Sequence, residues 1–346
     1  MDIICPTCNK SYHVPAERLP KKRASATCKN CGQTMLVEAS GVVWAENPAT
    51  SPIASAGGRS SSAGDAILMD YPELERISPN RVAFDEIFSP NRKGSYKSRR
   101  NNLKVKILLA VSEVMEKLLN QDERVMRVAK GIAYHPAEII FGNGWLTMIY
   151  NHYAILATDQ RLLFININSR MQRTTHYLFQ VLYEDIKKIK RGLLGSLVFQ
   201  RVKSKRRVFT GVKRFLSKEL KDFIMLKKEH AGPAPREVLE SICPSCHVPL
   251  QKGLRVCPSC KSAFKEPRSA SLRSLLIPGL GDLYLGHRAL GALELMGSLV
   301  VWAYALLSVP SGQTEALFLG VFLLLFYNCG DAILTYHMAK KGYMLA

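Results

Sequence analysis

Eight of the nine cysteines fall in four Cys-x-x-Cys pairs. Cys5/Cys8 and Cys28/Cys31 stand at the start of the chain, spaced C-x2-C-x19-C-x2-C. Cys243/Cys246 and Cys257/Cys260 stand just ahead of the last apolar stretch, spaced C-x2-C-x10-C-x2-C. Each pair is a tight turn that aims two sulfurs at one ion, and two pairs complete a tetrahedron. Four disulfides would use the same residues in an oxidising compartment. Paired knuckles read better as thiolate ligands of two zinc ions in a reducing one. Sites closed by four sulfurs leave no position for a reactive water, so their expected role is structural. His247, next to Cys246, is read as exposed rather than as a ligand.

Little else in the sequence promises catalysis. There is no phosphate-binding loop, nucleophile elbow or His-Glu-x-x-His helix, and the soluble part shows no paired catalytic carboxylates. The protein is therefore expected not to be an enzyme. The charge is informative instead: 48 Lys and Arg against 28 Asp and Glu, a formal +20, with the excess concentrated between Arg92 and Lys228. Such a field favours anionic partners. Lys187, Lys188, Lys190, Arg191, Lys203, Lys205, Arg206 and Arg207 are the candidate contacts. Inner-membrane lipid and an unidentified protein are the leading partners. Nucleic acid is the alternative: Arg201–Arg207 (RVKSKRR) offers charge for phosphates, but no specific reader motif accompanies it.

The elements that must position these residues divide the chain into parts. Residues 1–38 are too few to build a core, so zinc would supply most of their folding free energy. Residues 39–100 are rich in Ser, Gly and Pro and read as a flexible linker, basic toward its end. Residues 101–228 open with an amphipathic helix over 103–119, where Val111, Val114, Met115, Leu118 and Leu119 recur at helical steps. Short β-rich segments then follow one another from about 122 to 212, closed by a helix with Leu216, Leu220, Phe223 and Leu226 on one face. This predicts a small α+β barrel capped by its last helix. Residues 229–241 read as a linker, and 241–265 as a second, minimal ribbon. Residues 271–340 hold two apolar segments, 289–309 and 316–336, each near the ~20 residues that cross a bilayer core, joined by a tight return.

Basic residues flank the outer ends of that hairpin (Arg268, Arg273, Arg288, Lys340, Lys341), and the return has none. Both termini and all soluble parts are therefore expected on the cytoplasmic side, where thiolates persist. Gly279, Gly281, Asp282, Gly286, Glu294 and Asp331 are the residues of note in the hairpin. Intramembrane carboxylates are costly and often functional. Here Glu294 and Asp331 lie near the inner ends of their helices, so interfacial or helix-pairing duty is the expectation. Cys329 reads as a small packing residue. Oligomerisation through the hairpin is left open.

Three stretches resemble known families. ICPTC, YHVPAERLP and CKNCGQTMLV resemble the small zinc ribbons at the N-termini of many proteobacterial regulatory and membrane proteins. ATDQRLLFIN, with YEDIKKIK, GSLVFQ and LSKELKDFI after it, resembles bacterial pleckstrin-homology-like domains, whose strand-turn-strand unit reads T-D-x-R-L-L. LLIPGLGDLYLGHRALGALELMG is similar to bacterial two-helix membrane domains with a P-G-x-G-x-x-Y-x-G…G signature, matched by Pro278, Gly279, Gly281, Tyr284, Gly286 and Gly291. Those domains often carry Gln where Asp282 stands, and some an Asp-Arg-Phe element that this chain lacks. Together the resemblances imply a multidomain, non-enzymatic adaptor of a bacterial inner membrane. Its first ribbon would search for a partner from a tether, and its second would form a rigid joint.

Overall fold

The computed structural model describes residues 61–133, 150–172, 174–192, 195–202, 207–232, 240–308 and 314–346, with Pro15 and short strands near the N-terminus. Two compact units, Met1–Ser62 and Ala63–Ala346, divide the chain. In the first, β1 (Asp2–Ile4) pairs antiparallel with β2 (Ser11–His13). β3 (Ala24–Thr27), β4 (Thr34–Val37) and β5 (Val43–Ala45) form a three-stranded antiparallel sheet.

The second unit is built on two antiparallel sheets. β6 (Val125–Ile132), β7 (His152–Thr158), β8 (Arg161–Ile167) and β9 (Thr174–Leu182) follow one another as a meander. β10 (Ile186–Arg191), β11 (Leu197–Arg201) and β12 (Arg207–Phe209) form the other sheet. The sheets join at one corner, where Ile132 and Thr210 exchange backbone hydrogen bonds of 2.9 and 2.8 Å. Every residue of β8 is buried, so its side chains are covered on both faces of the sheet. On one face an aromatic cluster fills the space between the sheets. Phe164 stacks on Phe179 at 4.5 Å and on Phe209 at 5.1 Å, with Phe199 edge-on. Its offset and edge-to-face geometry adds to the burial of large apolar area.

Helix α3 (Arg99–Leu118) covers the meander, after the shorter α1 (Ser61–Asp70) and α2 (Phe84–Ile87). Ser98 caps α3, its hydroxyl accepting from Asn101 N–H at 3.1 Å. The apolar stripe read from the sequence is the buried face: Val111, Met115 and Leu118 point inward, joined by Val105, Ile107 and Leu108. Helix α4 (Arg214–Glu229) buries Leu216, Leu220 and Ile224 against the body. Lys104 ties three helices together, donating to Ile87 O at 2.6 Å and pairing with Glu219 at 2.8 Å.

The linker expected over 39–100 does not extend that far. From Ile67 onward the chain is packed: Ile67, Tyr71, Leu74, Ile77, Val82, Phe84, Ile87 and Phe88 all join the core. Tyr71 donates its hydroxyl to the Tyr96 carbonyl, and Asp70 accepts from Tyr96 N–H at 2.7 Å, which folds residues 70–98 into a closed strap. Large apolar residues at irregular steps serve one 3-10 turn and two short helices, so no period announces them. Within the β-rich stretch read over about 122–212, residues 134–149 lie outside the described residues. β10, not expected as a separate strand, is regular: it buries Ile186 and Ile189 and exposes the residues between and after them.

After the sheets come β13 (Ser241–Ile242), β14 (Pro249–Leu250) and four helices: α5 (Pro267–Leu276), α6 (Leu280–Leu285), α7 (Arg288–Ser308) and α8 (Thr314–Ala339). α7 and α8 pair antiparallel. Leu290 packs with Leu334, and Tyr327 donates to Glu294 O at 3.1 Å. Gly279 precedes α6 at φ +87°, and a Cβ there would lie 2.3 Å from Gly291 O. A Cβ on Gly281 would lie 2.3 Å from Ala270 O. Only glycine admits such close backbone contacts. Both α7 and α8 are long and apolar enough to cross a membrane, and only 22% and 33% of their apolar windows are buried. A core helix of a soluble domain would be mostly covered.

Candidate metal centre

The second ribbon is two copies of one turn. Cys243 N–H donates to Val248 O and His247 N–H to Cys243 O, at 2.9 and 3.0 Å. In the second copy Cys257 N–H donates to Ser262 O and Lys261 N–H to Cys257 O, again at 2.9 and 3.0 Å. The residue after each second cysteine is left-handed, His247 at φ 62° and Lys261 at φ 59°. Non-glycine residues rarely adopt that conformation, and here it is what turns both sulfurs of a pair to the same side. His247 is half-buried rather than exposed.

The four sulfurs converge. Cys243, Cys246, Cys257 and Cys260 each place Sγ within 4.8 Å of the others. Cys243 lies 3.8 Å from Cys260, and Cys246 lies 3.6 Å from Cys257. A tetrahedral zinc with Zn–S bonds of about 2.3 Å requires sulfurs about 3.8 Å apart. The residues therefore fit the ion without rearrangement. Burial holds the Cys243 thiol well above its usual range. The Ser262 hydroxyl, 3.2 Å away, and the Ser262 N–H hold Cys260 well below it. Zinc binding would draw off the protons that the sulfurs carry.

This ribbon is built into its neighbours. β13 and β14 extend the meander to six strands, β13 pairing with β9 through Ser241 and Phe179. Phe264 packs on Tyr343 with ring centroids 4.4 Å apart. Tyr343 also accepts from Leu254 N–H at 3.0 Å and donates to Gln251 O. Lys265 N–H donates to Met344 O at 2.9 Å, so residues that follow α8 complete the ribbon. Tyr177 of β9 donates its hydroxyl to Met338 O of α8 at 3.0 Å.

Glu240, in the stretch read as a linker, is the electrostatic centre of the joint. It pairs with Arg201, Arg207 and Lys252, while Arg201 also holds Asp185 at 2.6 Å. Burial alone would raise the Glu240 carboxyl, but Arg207 and Arg201 outweigh it and hold the group below its ordinary value of 4.5. A depressed carboxylate stabilises the fold fully above its unfolded value and loses that contribution as pH falls through the lower folded one. The melting temperature should therefore drop on acidification below about pH 4.5. Glu240→Gln should be less stable at neutral pH and should show a shallower acid loss. Parallel pH profiles for both proteins would refute the assignment.

The basic residues do not all share one place. Lys187, Lys188, Lys190 and Arg191 line one side of a cleft of about 620 Å³ between β10 and α4. Lys221 and Lys228 line the other, two cations that sequence reasoning missed because they sit one helix later. Arg207 stands apart, lying over the Phe179 ring at 4.3 Å with its charge engaged by Glu240. Lys203, Lys205 and Arg206 lie outside the described residues, as do Cys5, Cys8, Cys28 and Cys31.

Of the hairpin residues, Asp282, Glu294 and Asp331 are brought together from three helices. Glu294 and Asp331 meet between α7 and α8, where the helices pair. His287 Nδ1 lies 2.9 Å from Asp282, Thr335 donates to Asp282 at 2.8 Å, and Gly279 N–H donates to Asp331 at 2.8 Å. Gly286 ends α6 at φ +93°. Cys329, expected to pack, faces outward.

Residues 1–36 match the family of zinc-ribbon domains. No curated protein matches the chain. The protein thus carries a zinc-ribbon domain at its N-terminus and a second four-cysteine centre shaped for zinc.

Proposed function

We propose that this protein is a non-enzymatic adaptor anchored in a bacterial cytoplasmic membrane, with a basic body held at the inner surface and an N-terminal ribbon that recruits a protein partner. The observation that carries the reading is the bare apolar exterior of α7 and α8. Leu299, Leu307 and Phe318 are 66%, 74% and 77% exposed, on helices joined at their base to a body with a cationic cleft. Leu272 and Leu276 of α5 add apolar surface beside that base. Basic residues flank the outer ends of the hairpin and none lies in its return, which favours both termini inside.

A pleckstrin-homology-like domain is the reading that best fits the meander, the three-stranded sheet and the closing helix. The T-D-x-R-L-L stretch is Thr158–Leu163, and its polar residues have structural work. Arg161 Nε and Nη2 grip Glu123 at 2.9 and 2.8 Å, and Thr158 donates to the same carboxylate at 2.7 Å. The cleft between β10 and α4 is then the surface for anionic lipid, where each well-placed cation adds about 1 kcal/mol.

Full-length protein in nanodiscs tests this reading. Phosphatidylglycerol discs should protect the amides of 186–191 from hydrogen exchange, and purely zwitterionic discs should not. Replacing Lys187, Lys188, Lys190 and Arg191 by alanine should abolish the difference. Protection of the same strand by DNA or RNA, with none from anionic lipid, would replace the membrane reading by a nucleic-acid one. Crosslinking from membranes should capture a specific protein that Cys5→Ser/Cys8→Ser loses.

A further inference from the structure

The base of the hairpin concentrates negative charge without a matching cation. Asp282 comes from α6, Glu294 from α7 and Asp331 from α8, and one oxygen of each lies within 4.8 Å of the other two. Asp282 is wholly buried and Asp331 is 5% exposed. Thr335, His287 and the Gly279 N–H occupy part of the acceptor capacity. They do not exhaust it. Asp331 Oδ1 and Glu294 Oε2 are both cut off from solvent and have no hydrogen-bond partner. Among the described residues, the basic side chain that meets any of the three is His287, 2.9 Å from Asp282.

An ionised carboxylate only accepts hydrogen bonds, so these groups cannot satisfy one another. Unpaired buried charge is among the costliest features a fold can carry. A bound cation would neutralise the charge and coordinate the orphaned oxygens together.

We propose that Asp282, Glu294 and Asp331 form a binding site for a hard divalent cation that ties α6, α7 and α8 together. Carboxylate oxygens suit Mg²⁺, Ca²⁺ or Mn²⁺, whereas zinc is drawn to the cysteine centres. His287 and Thr335 orient Asp282 from behind, as outer partners of metal ligands do. Gly279 and Gly281 let the backbones approach closely enough for three short side chains to meet. The site rests on the packing of these helices and holds whether or not the hairpin crosses a bilayer.

The test uses zinc-loaded, full-length protein in detergent, titrated with Mn²⁺ and followed by electron paramagnetic resonance, with Mg²⁺ and Ca²⁺ as competitors. One Mn²⁺ per chain is expected, displaced by at least one competitor. Glu294→Gln and Asp331→Asn should each weaken binding about tenfold or more, with zinc content unchanged. Saturating Mn²⁺ should raise the melting temperature of the parent and not of the variants. If Asp331→Asn fails to fold, Glu294→Gln decides alone, since its amide keeps the shape. Absence of Mn²⁺ binding, or equal affinity in the variants, overturns the proposal. So does a carboxylic-acid infrared band that Glu294→Gln removes and Mn²⁺ leaves untouched, because protons would then hold the site.

Discussion

Cys257→Ser is expected to release one zinc ion per chain and unfold residues 243–265. The ribbon's own core is small, Cys243, Leu250, Cys257 and Phe264, two of them ligands, so its contacts with β9 and Tyr343 depend on the ion for their shape. Burying an aliphatic or aromatic side chain contributes about 1.5–3 kcal/mol, whereas a structural zinc contributes about 10–16 kcal/mol at neutral pH. Without the ion, the left-handed turns at His247 and Lys261 have no reason to persist. The effect should spread to the joint, because Tyr343 and Met344 lose their seat. Zinc analysis and limited proteolysis measure both consequences: one ion fewer and new cleavage between 243 and 265. Cys329→Ser is the control and should change neither. Full zinc retention in Cys257→Ser would show that sulfur does not close this site.

Glu123→Ala carries the second large effect. Arg161 reaches both oxygens of Glu123, donates to Leu118 O at 2.9 Å and points its remaining nitrogen at Gln180. Glu123 is fully buried and Arg161 nearly so. Removing one partner of such a pair costs about 3–5 kcal/mol, because a buried guanidinium is left without a counter-charge. For a unit of this size that is a fall in melting temperature of the order of 10 °C. Replacing both partners by apolar residues of similar volume, Glu123→Leu with Arg161→Met, should recover most of the loss. If the single variant melted like the parent, the pair would not be what ties the start of β8 to the end of α3 and the turn before β6.

The parts of this fold that were legible in the sequence are those whose rule is local. A Cys-x-x-Cys turn meets its ion within four residues, so the ligands of the second centre could be named from spacing alone. The stripe of α3 repeats at helical steps and its buried face follows, whereas on α4 Leu216 and Leu220 are buried as read but Leu226 is exposed and Ile224 takes the inward place. What escaped was set by distant partners. Ile67, Tyr71 and Leu74 follow a Ser- and Gly-rich stretch whose composition hid them. Glu240 gave no signal, because its value lies in Arg201 and Arg207, which come from the other sheet. Asp282, Glu294 and Asp331 were each noticeable as carboxylates, but only the pairing of three helices makes them one site. The one local element is the contact of Asp282 with His287, five residues on and just beyond the end of α6.

The seating of Tyr343 and Met344 against the second ribbon has a consequence in time. These residues follow α8 in the chain, so on the ribosome they emerge only after both long helices have been made. Until then the ribbon lacks the aromatic lid on Phe264 and the strand contact at Lys265. Its cysteines are translated long before their surroundings are complete. The full set of contacts around the second ribbon is therefore available only to a chain that has been made through Met344.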